Sequence, residues 1–267
     1  MERGAAVANN GAGLSVCALA SGSKGNCLFV SDGDTSLLID AGLSGVEIER
    51  RLAVHGIDPY SLSAILISHE HNDHIHGAGV ISRRYNLPVY ISRKTCHETR
   101  SCVGHVETYH YFECGSGFHI GQLCIHPFSL SHDAADPSGF TFSRNGSKIG
   151  LATDLGVATA MVKEHLKGCR LLILEANHDP DMLMRGPYPW PVKQRIKGRT
   201  GHLSNNDTRE LLLELKHDGL THVVLAHLSH ENNTCEKALA AAGEALGTSG
   251  AVLSVALQHQ CGELIRI

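Results

Sequence analysis

Short, largely apolar runs bounded by turn residues recur along this chain, and such runs predict strands. Residues 14–19, 27–31 and 35–40 read this way, the last two joined by the Asp32-Gly33-Asp34 turn of a hairpin. The run 64–68, AILIS, is a short apolar strand. Further strands are expected at 87–91, 122–128, 139–143, 148–153, 170–175, 221–226 and 251–256. Helical spacing appears at 44–55, where Val46, Ile48, Leu52 and Val54 stand among charges. It recurs at 77–85, 157–166, 193–199, 205–217 and 231–246, with Asn205 or Asn206 as the cap of the fifth. Residues 93–118 have no clean period and read as an inserted or irregular segment, and Pro187, Pro189 and Pro191 interrupt the chain. No linker and no fixed-period repeat is visible. The pattern predicts a single α/β domain over 14–267, two sheets with outer helices, behind a flexible tail over 1–13.

Composition narrows the class. The 267 residues are enough for a large core, and 42% hydrophobic with 19% charged residues excludes a disordered, collagen-like or coiled-coil chain. No apolar run approaches the ~18 residues of a membrane span. A net charge of −4 excludes a strongly basic coat for nucleic acid, although a local basic patch remains compatible with it. Nine cysteines occur without a C-x-x-C pair, and the N-terminus lacks an apolar signal core. They read as free thiols in a reducing cytoplasm. The outlier is 19 His against a single Trp, which points to metal ligation or proton transfer.

Four of those chemical groups lie together. His69, His71, Asp73 and His74 form H-x-H-x-D-H directly after strand 64–68. At this composition such a run arises by chance on the order of a few times per thousand chains. Residues two apart on extended backbone point the same way, so His69 and His71 can chelate one cation. If the chain then turns toward a helix, Asp73 and His74 can face a neighbouring one. One loop cannot saturate two cations, so further ligands are expected at later strand ends: His132 in SLSHD, Asp154 in LATDLG as a bridging carboxylate, and His227 in LAHLSHENN. Imidazole and carboxylate suit Zn2+ or Mn2+, and iron is also accommodated.

With H-x-H-x-D-H followed by His, Asp and His in that order, the chain resembles the metallo-β-lactamase fold superfamily. It resembles its YycJ/WalJ-type branch in ASGSKGNCLFV, LLIDAGLS, ILISHEHNDHIHGAGVISRRYNLPVY, SLSHDAADPSGF, GLATDLG, LEANHD, GHLSNND and LAHLSHENN. These pieces span most of residues 15–235. The His/Cys-rich stretch 96–118 and the acidic balance depart from the pattern. The resemblance implies an αββα sandwich of two mixed sheets with the site at one edge. It implies His69, His71 and His132 on a first metal, Asp73, His74 and His227 on a second, and Asp154 between them. No Cys stands at a ligand position, unlike zinc β-lactamases that use a thiolate.

A pair of divalent cations lowers the pKa of a shared water and clamps the oxygens of a displacement, with Asp73 orienting the nucleophile. His202 in GHLS resembles the histidine that faces the scissile phosphate in tRNA-processing members. Glu175 in LEANHD resembles the carboxylate that orients it. Lys193, Arg195, Lys197 and Arg199 precede His202 and read either as a solvated helix face or as a phosphate track. Ser21, Ser23, Lys24 and Asn26 read either as a tight turn or as a loop meeting phosphate oxygens. His178 and Asn233 follow catalytic-looking strands and are candidates for supporting or substrate contacts. The resemblance implies a 5′-to-3′ exonuclease with a nucleic acid substrate, DNA favoured, and no membrane partner. The alternative is a hydrolase of a small amide or thioester, β-lactamase-like or glyoxalase II-like, on the same cage. A third reading is a metal-binding protein without catalysis.

Overall fold

A computed structural model describes residues 13–267. Of the expected tail, residues 1–12 lie outside the described residues. The strands of the first sheet are β1 (Ser15–Ala20), β2 (Cys27–Ser31), β3 (Ser36–Ile39), β4 (Ala64–Leu66), β5 (Val89–Ser92) and β6 (Tyr109–Phe112). The second sheet is built from β7 (Phe118–Ile120), β8 (Leu123–Ser129), β9 (Ser138–Arg144), β10 (Ser147–Ala152), β11 (Leu171–Glu175), β12 (His222–Ala226) and β13 (Val252–Val255). Strand β14 (Ile265–Arg266) returns to pair antiparallel with β1. Among the described residues this gives two seven-stranded sheets in the orders β14-β1-β2-β3-β4-β5-β6 and β13-β12-β11-β10-β9-β8-β7. Each begins antiparallel and turns parallel, at β3/β4 in one and at β10/β11 in the other.

Alternation along the strands sorts side chains into layers. Val16, Leu28, Val30, Leu37, Ile39 and Leu66 face the other sheet and meet Ile125, Phe140, Phe142, Ile149, Leu151 and Ile173. The intervening Cys17, Leu19, Phe29, Leu38 and Ile65 face outward. They pack under α1 (Gly45–Val54), α2 (Asn72–Ile75), α3 (Ala78–Tyr85) and α4 (Arg93–Val103) through Ile48, Leu52, Ile75, Ile81 and Cys96. On the far side follow α5 (Ala160–Leu166), α6 (Pro180–Arg185), α7 (Trp190–Ile196), α8 (Asn205–Leu215) and α9 (Cys235–Leu246). Val162, Leu166, Leu211, Leu212, Ala238 and Ala242 cover Leu172, Leu174, Val223 and Leu225. The result is the expected αββα sandwich. Burial of this kind contributes about 25 cal/mol per Å² of apolar surface, and all three layers, between the sheets and under each set of helices, share in it.

Several local expectations need correction. Residues 93–118 are regular: Ser92 caps α4, and β6 and the start of β7 follow. The stripe that α4 buries is Thr95, Cys96, Thr99 and Val103, too polar to register as an apolar period. Helix α8 is capped by Ser204, one residue before the expected asparagines, in a reciprocal box with Asp207. Helix α7 starts at Trp190 because Pro191 pre-sets its first turn, and α9 starts only at Cys235, after the Thr234 cap.

The pairing pattern also places the chemistry. Two antiparallel steps carry β8 to β10, so β8 runs in the same direction as β10, β11 and β12. The C-terminal ends of all four therefore meet at one edge of their sheet. The C-terminal ends of β3 and β4 lead into residues 40 and 69–74 of the first sheet.

Candidate metal centre

The loop after β4 is pinned before its side chains act. Asn26 N donates to the Asp73 carbonyl and Ala41 N to the His74 carbonyl, at 2.7 and 2.8 Å. A Cβ on Gly42 would collide with that Asp73 carbonyl oxygen, so this close approach requires glycine. Glu70 Oε1 accepts from Ala135 N at 2.7 Å, tying the loop to the segment that carries His132.

The seven expected side chains converge. His69, His71 and His132 form one set: His69 Nε2 lies 3.0 Å from His71 Nδ1, and His132 Nε2 lies 3.3 Å from the same atom. Asp73, His74 and His227 form a second, with Asp73 Oδ2 at 3.6 Å from His74 Nε2 and 3.8 Å from His227 Nε2. Asp154 reaches into both: Oδ2 is 3.4 Å from His74 Nε2, and His69, His74 and Asp154 form a further donor triplet. Asp154 and His227 hold left-handed backbone (φ 61° and 55°), as does Asp40 (φ 60°). Such backbone costs of order 1–3 kcal/mol per residue and clusters at functional sites.

Orienting partners fix which nitrogen faces inward. His74 Nδ1 lies 2.7 Å from Asp40 Oδ2, which also accepts from Ser68 Oγ. His132 Nδ1 donates to the Gly201 carbonyl. His227 Nδ1 and His202 Nδ1 each lie 2.8 Å from Glu175 Oε1, while Glu175 Oε2 accepts from the Leu155 and Leu203 amides. Glu175 is 0% exposed, so this one carboxylate sets two imidazoles. In His74, His132, His202 and His227 the Nε2 edge is left for the centre, whereas His71 turns Nδ1 inward.

Charge completes the picture. Burial, then the neighbouring imidazoles, hold His69 well below its ordinary pKa, and burial lowers His132, so both offer lone pairs at neutral pH. Burial pulls His74 down, but Asp40 and Asp154 outweigh it and hold it near about 9. His227 is likewise raised by Asp154, Asp73 and Glu175 against burial. Burial opposes ionisation of Asp73, yet its contacts with His227 and His74 hold the carboxyl below the usual range. The second set thus collects protons where its carboxylates call for positive charge. Asp154 Oδ2 and His227 Nε2 are buried with no hydrogen-bond partner, a cost of roughly 1–3 kcal/mol for each group if it stays so. Facing lone pairs, orphaned donors and excess negative charge fit divalent cations.

Residues 35–228 match the family described as Beta-lactamase superfamily domain. The chain belongs to the metallo-β-lactamase superfamily. It is 38% identical over 240 residues to exodeoxyribonuclease YycJ of Bacillus anthracis, covering 89% of this chain and 91% of that one. It is 39% identical over 230 residues to exodeoxyribonuclease WalJ of Streptococcus pneumoniae serotype 2, covering 85% and 86%. The metallo-β-lactamase fold protein YhfI of Bacillus subtilis superposes with a TM-score of 0.74 at 16% identity, covering 96% of this chain and all of that one. As a member of this superfamily the chain is a metal-dependent hydrolase. Among the described residues no helix is long and apolar enough to cross a membrane.

The expected substrate contacts divide. Ser23 is exposed, and Arg195 is exposed at the rim, where it pairs with Asp133 beside His132. Lys193 departs from the phosphate-track reading: it is buried and its ammonium donates to the Met184 carbonyl. Ser21 and Asn26 are buried bracing groups. Ser21 Oγ accepts from His227 N, and Asn26 Nδ2 reaches Asp73 Oδ2 and His74 Nε2. Asn233 is buried, its amide donating to the Ala176 carbonyl and to Asn205. His178 is buried beside Ser204 and held near about 4 by burial. Asp40 was not singled out among the expected site residues. Its signal is the one that found Asp154, an Asp where an apolar strand ends.

Proposed function

We propose that this chain is a dinuclear, divalent-metal-dependent phosphodiesterase that degrades DNA from the 5′ end. The observation that carries the reading is the joining of two three-donor sets through Asp154, with His202 held beside them on Glu175. The names of the two bacterial relatives support a deoxyribonuclease.

In this reading His69, His71 and His132 would hold one cation and Asp73, His74 and His227 another, with Asp154 available to both sets. Zn2+ or Mn2+ matches the donors, and iron is accommodated. When bound, the cations supply Lewis acidity toward water and toward phosphodiester oxygens. Asp73, partly exposed, orients the attacking water. His202 is 21% exposed at its side chain, so it can meet substrate. Burial lowers its pKa, but Glu175 outweighs burial and raises it above the ordinary histidine value, which favours the protonated ring. With Nδ1 directed to Glu175, the Nε2 proton is the one delivered to the leaving oxygen. Arg195 and Arg199, exposed ahead of His202, receive the phosphate backbone.

The test is turnover of 5′-labelled and 3′-labelled DNA by protein loaded with Zn2+ or Mn2+. The reading expects loss of the 5′ label first, and a His202→Ala rate about 10²–10⁴-fold lower at unchanged metal content. Equal, slow turnover by wild type and variant would overturn it. Efficient nitrocefin or thioester hydrolysis without DNA turnover would establish the amide or thioester alternative.

A further inference from the structure

Away from the catalytic edge, three soft donors meet under the C-terminal strand. Cys17 lies on β1, His55 caps the end of α1, and Cys261 precedes β14. Cys17 Sγ is 3.7 Å from Cys261 Sγ and 3.4 Å from His55 Nε2, and Cys261 Sγ is 3.3 Å from that nitrogen. The Gly262 carbonyl oxygen accepts hydrogen bonds from Cys17 Sγ at 3.3 Å and from His55 Nε2 at 2.8 Å.

These separations are informative. Zinc bonds of about 2.3 Å to sulfur and about 2.0 Å to nitrogen, at tetrahedral angles, put two sulfurs about 3.8 Å apart and sulfur and nitrogen about 3.5 Å apart. The three observed separations fall within a few tenths of an ångström of those values. A disulfide would need the sulfurs at about 2.0 Å. We propose that Cys17, His55 and Cys261 form a separate structural site for one zinc-type divalent cation.

The surroundings suit this role. Cys17 is buried, and burial followed by the nearby Cys261 sulfur pushes its thiol far above the ordinary value. Without a cation both sulfurs keep their protons, and binding releases them. Burial raises the Cys261 thiol as well, against the opposing pull of the Cys17 hydrogen bond and the Arg51 guanidinium. The site closes the chain across a wide gap in sequence, and what it anchors matters. The Leu257 carbonyl accepts from Ser21 N, Gln258 accepts from Lys24 N and donates to the Gly25 carbonyl, and Arg51 donates to the Gln258 carbonyl. Ser21 in turn accepts from His227 N. A cation at Cys17, His55 and Cys261 therefore holds the segment that braces the 21–26 loop beneath the catalytic donors.

Cobalt separates the two kinds of site, because the catalytic donors include no thiolate. Full-length protein, reduced and stripped of metal, is titrated with Co2+. Wild type is expected to gain a thiolate-to-cobalt charge-transfer band in the near ultraviolet. His71→Ala keeps that band. Cys17→Ser and Cys261→Ser lose it, lose one zinc equivalent by elemental analysis, and retain the visible cobalt bands of the catalytic donors, which also shows that they fold. In wild type, Zn2+ protects Cys261 from alkylation. A reduced wild type without the band, a band that survives in the Cys17→Ser/Cys261→Ser double variant, or recovery of a Cys17–Cys261 disulfide in place of zinc would overturn the proposal.

Discussion

Glu175 is the residue on which most of the centre turns. Its buried carboxylate accepts from two backbone amides on one oxygen and holds His202 and His227 on the other. Removing it leaves two imidazoles free to rotate, so Glu175→Gln is expected to weaken both metal retention and turnover, whereas His202→Ala lowers turnover alone. Metal content and rate measured on the same preparations separate the two. Asp40 acts at one remove through His74. Asp40→Asn keeps the volume and loses the charge, and a 10–100-fold loss of metal affinity is expected in chelator competition. Legibility at this scale follows sequence distance. The run His69–His74 is visible because its ligands are two and three residues apart. His132, Asp154 and His227 are visible because strands end beside them. Lys193 misleads because a charge run carries no sign of which member turns inward to a carbonyl.

At the scale of elements, α1 supplies a pH-dependent clamp. Glu47 accepts from Arg50 and from the buried Arg51, which also reaches the Leu19 carbonyl. The Arg50 hydrogen bonds, opposed by burial and aided by Arg51, draw the Glu47 carboxyl down to about 2. A depressed carboxylate stabilises the fold above the ordinary value near 4.5 and loses that contribution as pH falls toward 2. Glu47→Gln is expected to cost about 1–2 kcal/mol at neutral pH and far less as the pH falls to about 2 and below, read from urea melts across that window. An equal cost at both ends would contradict the assignment. Helix α4 shows why some elements stay hidden. Its buried face is Thr, Cys, Thr and Val, so packing rather than periodicity decides it. Strands such as β4 and β11 were legible as short runs of Leu and Ile between turn residues, buried on both faces.

For the whole molecule, the two sheets share one inter-sheet layer and several strand ends share one polar edge. Cutting the layer and emptying the edge should act differently. Phe140→Ala, at a site with 0% exposure between the sheets, is expected to cost about 3–5 kcal/mol in denaturant unfolding while leaving the donors in place. Chelation leaves the packing intact but removes the compensation for Asp154 and His227. It should lower the melting temperature, and restoring free cation to about a thousand times its dissociation constant should return about 4 kcal/mol.

The most direct measurement is anomalous diffraction at the zinc edge from crystals of the metal-loaded protein. Two peaks are expected at the catalytic edge, one within reach of His69, His71 and His132, the other within reach of Asp73, His74 and His227, with Asp154 touching both. A single peak there, or none, would contradict the dinuclear account and the mechanism built on it.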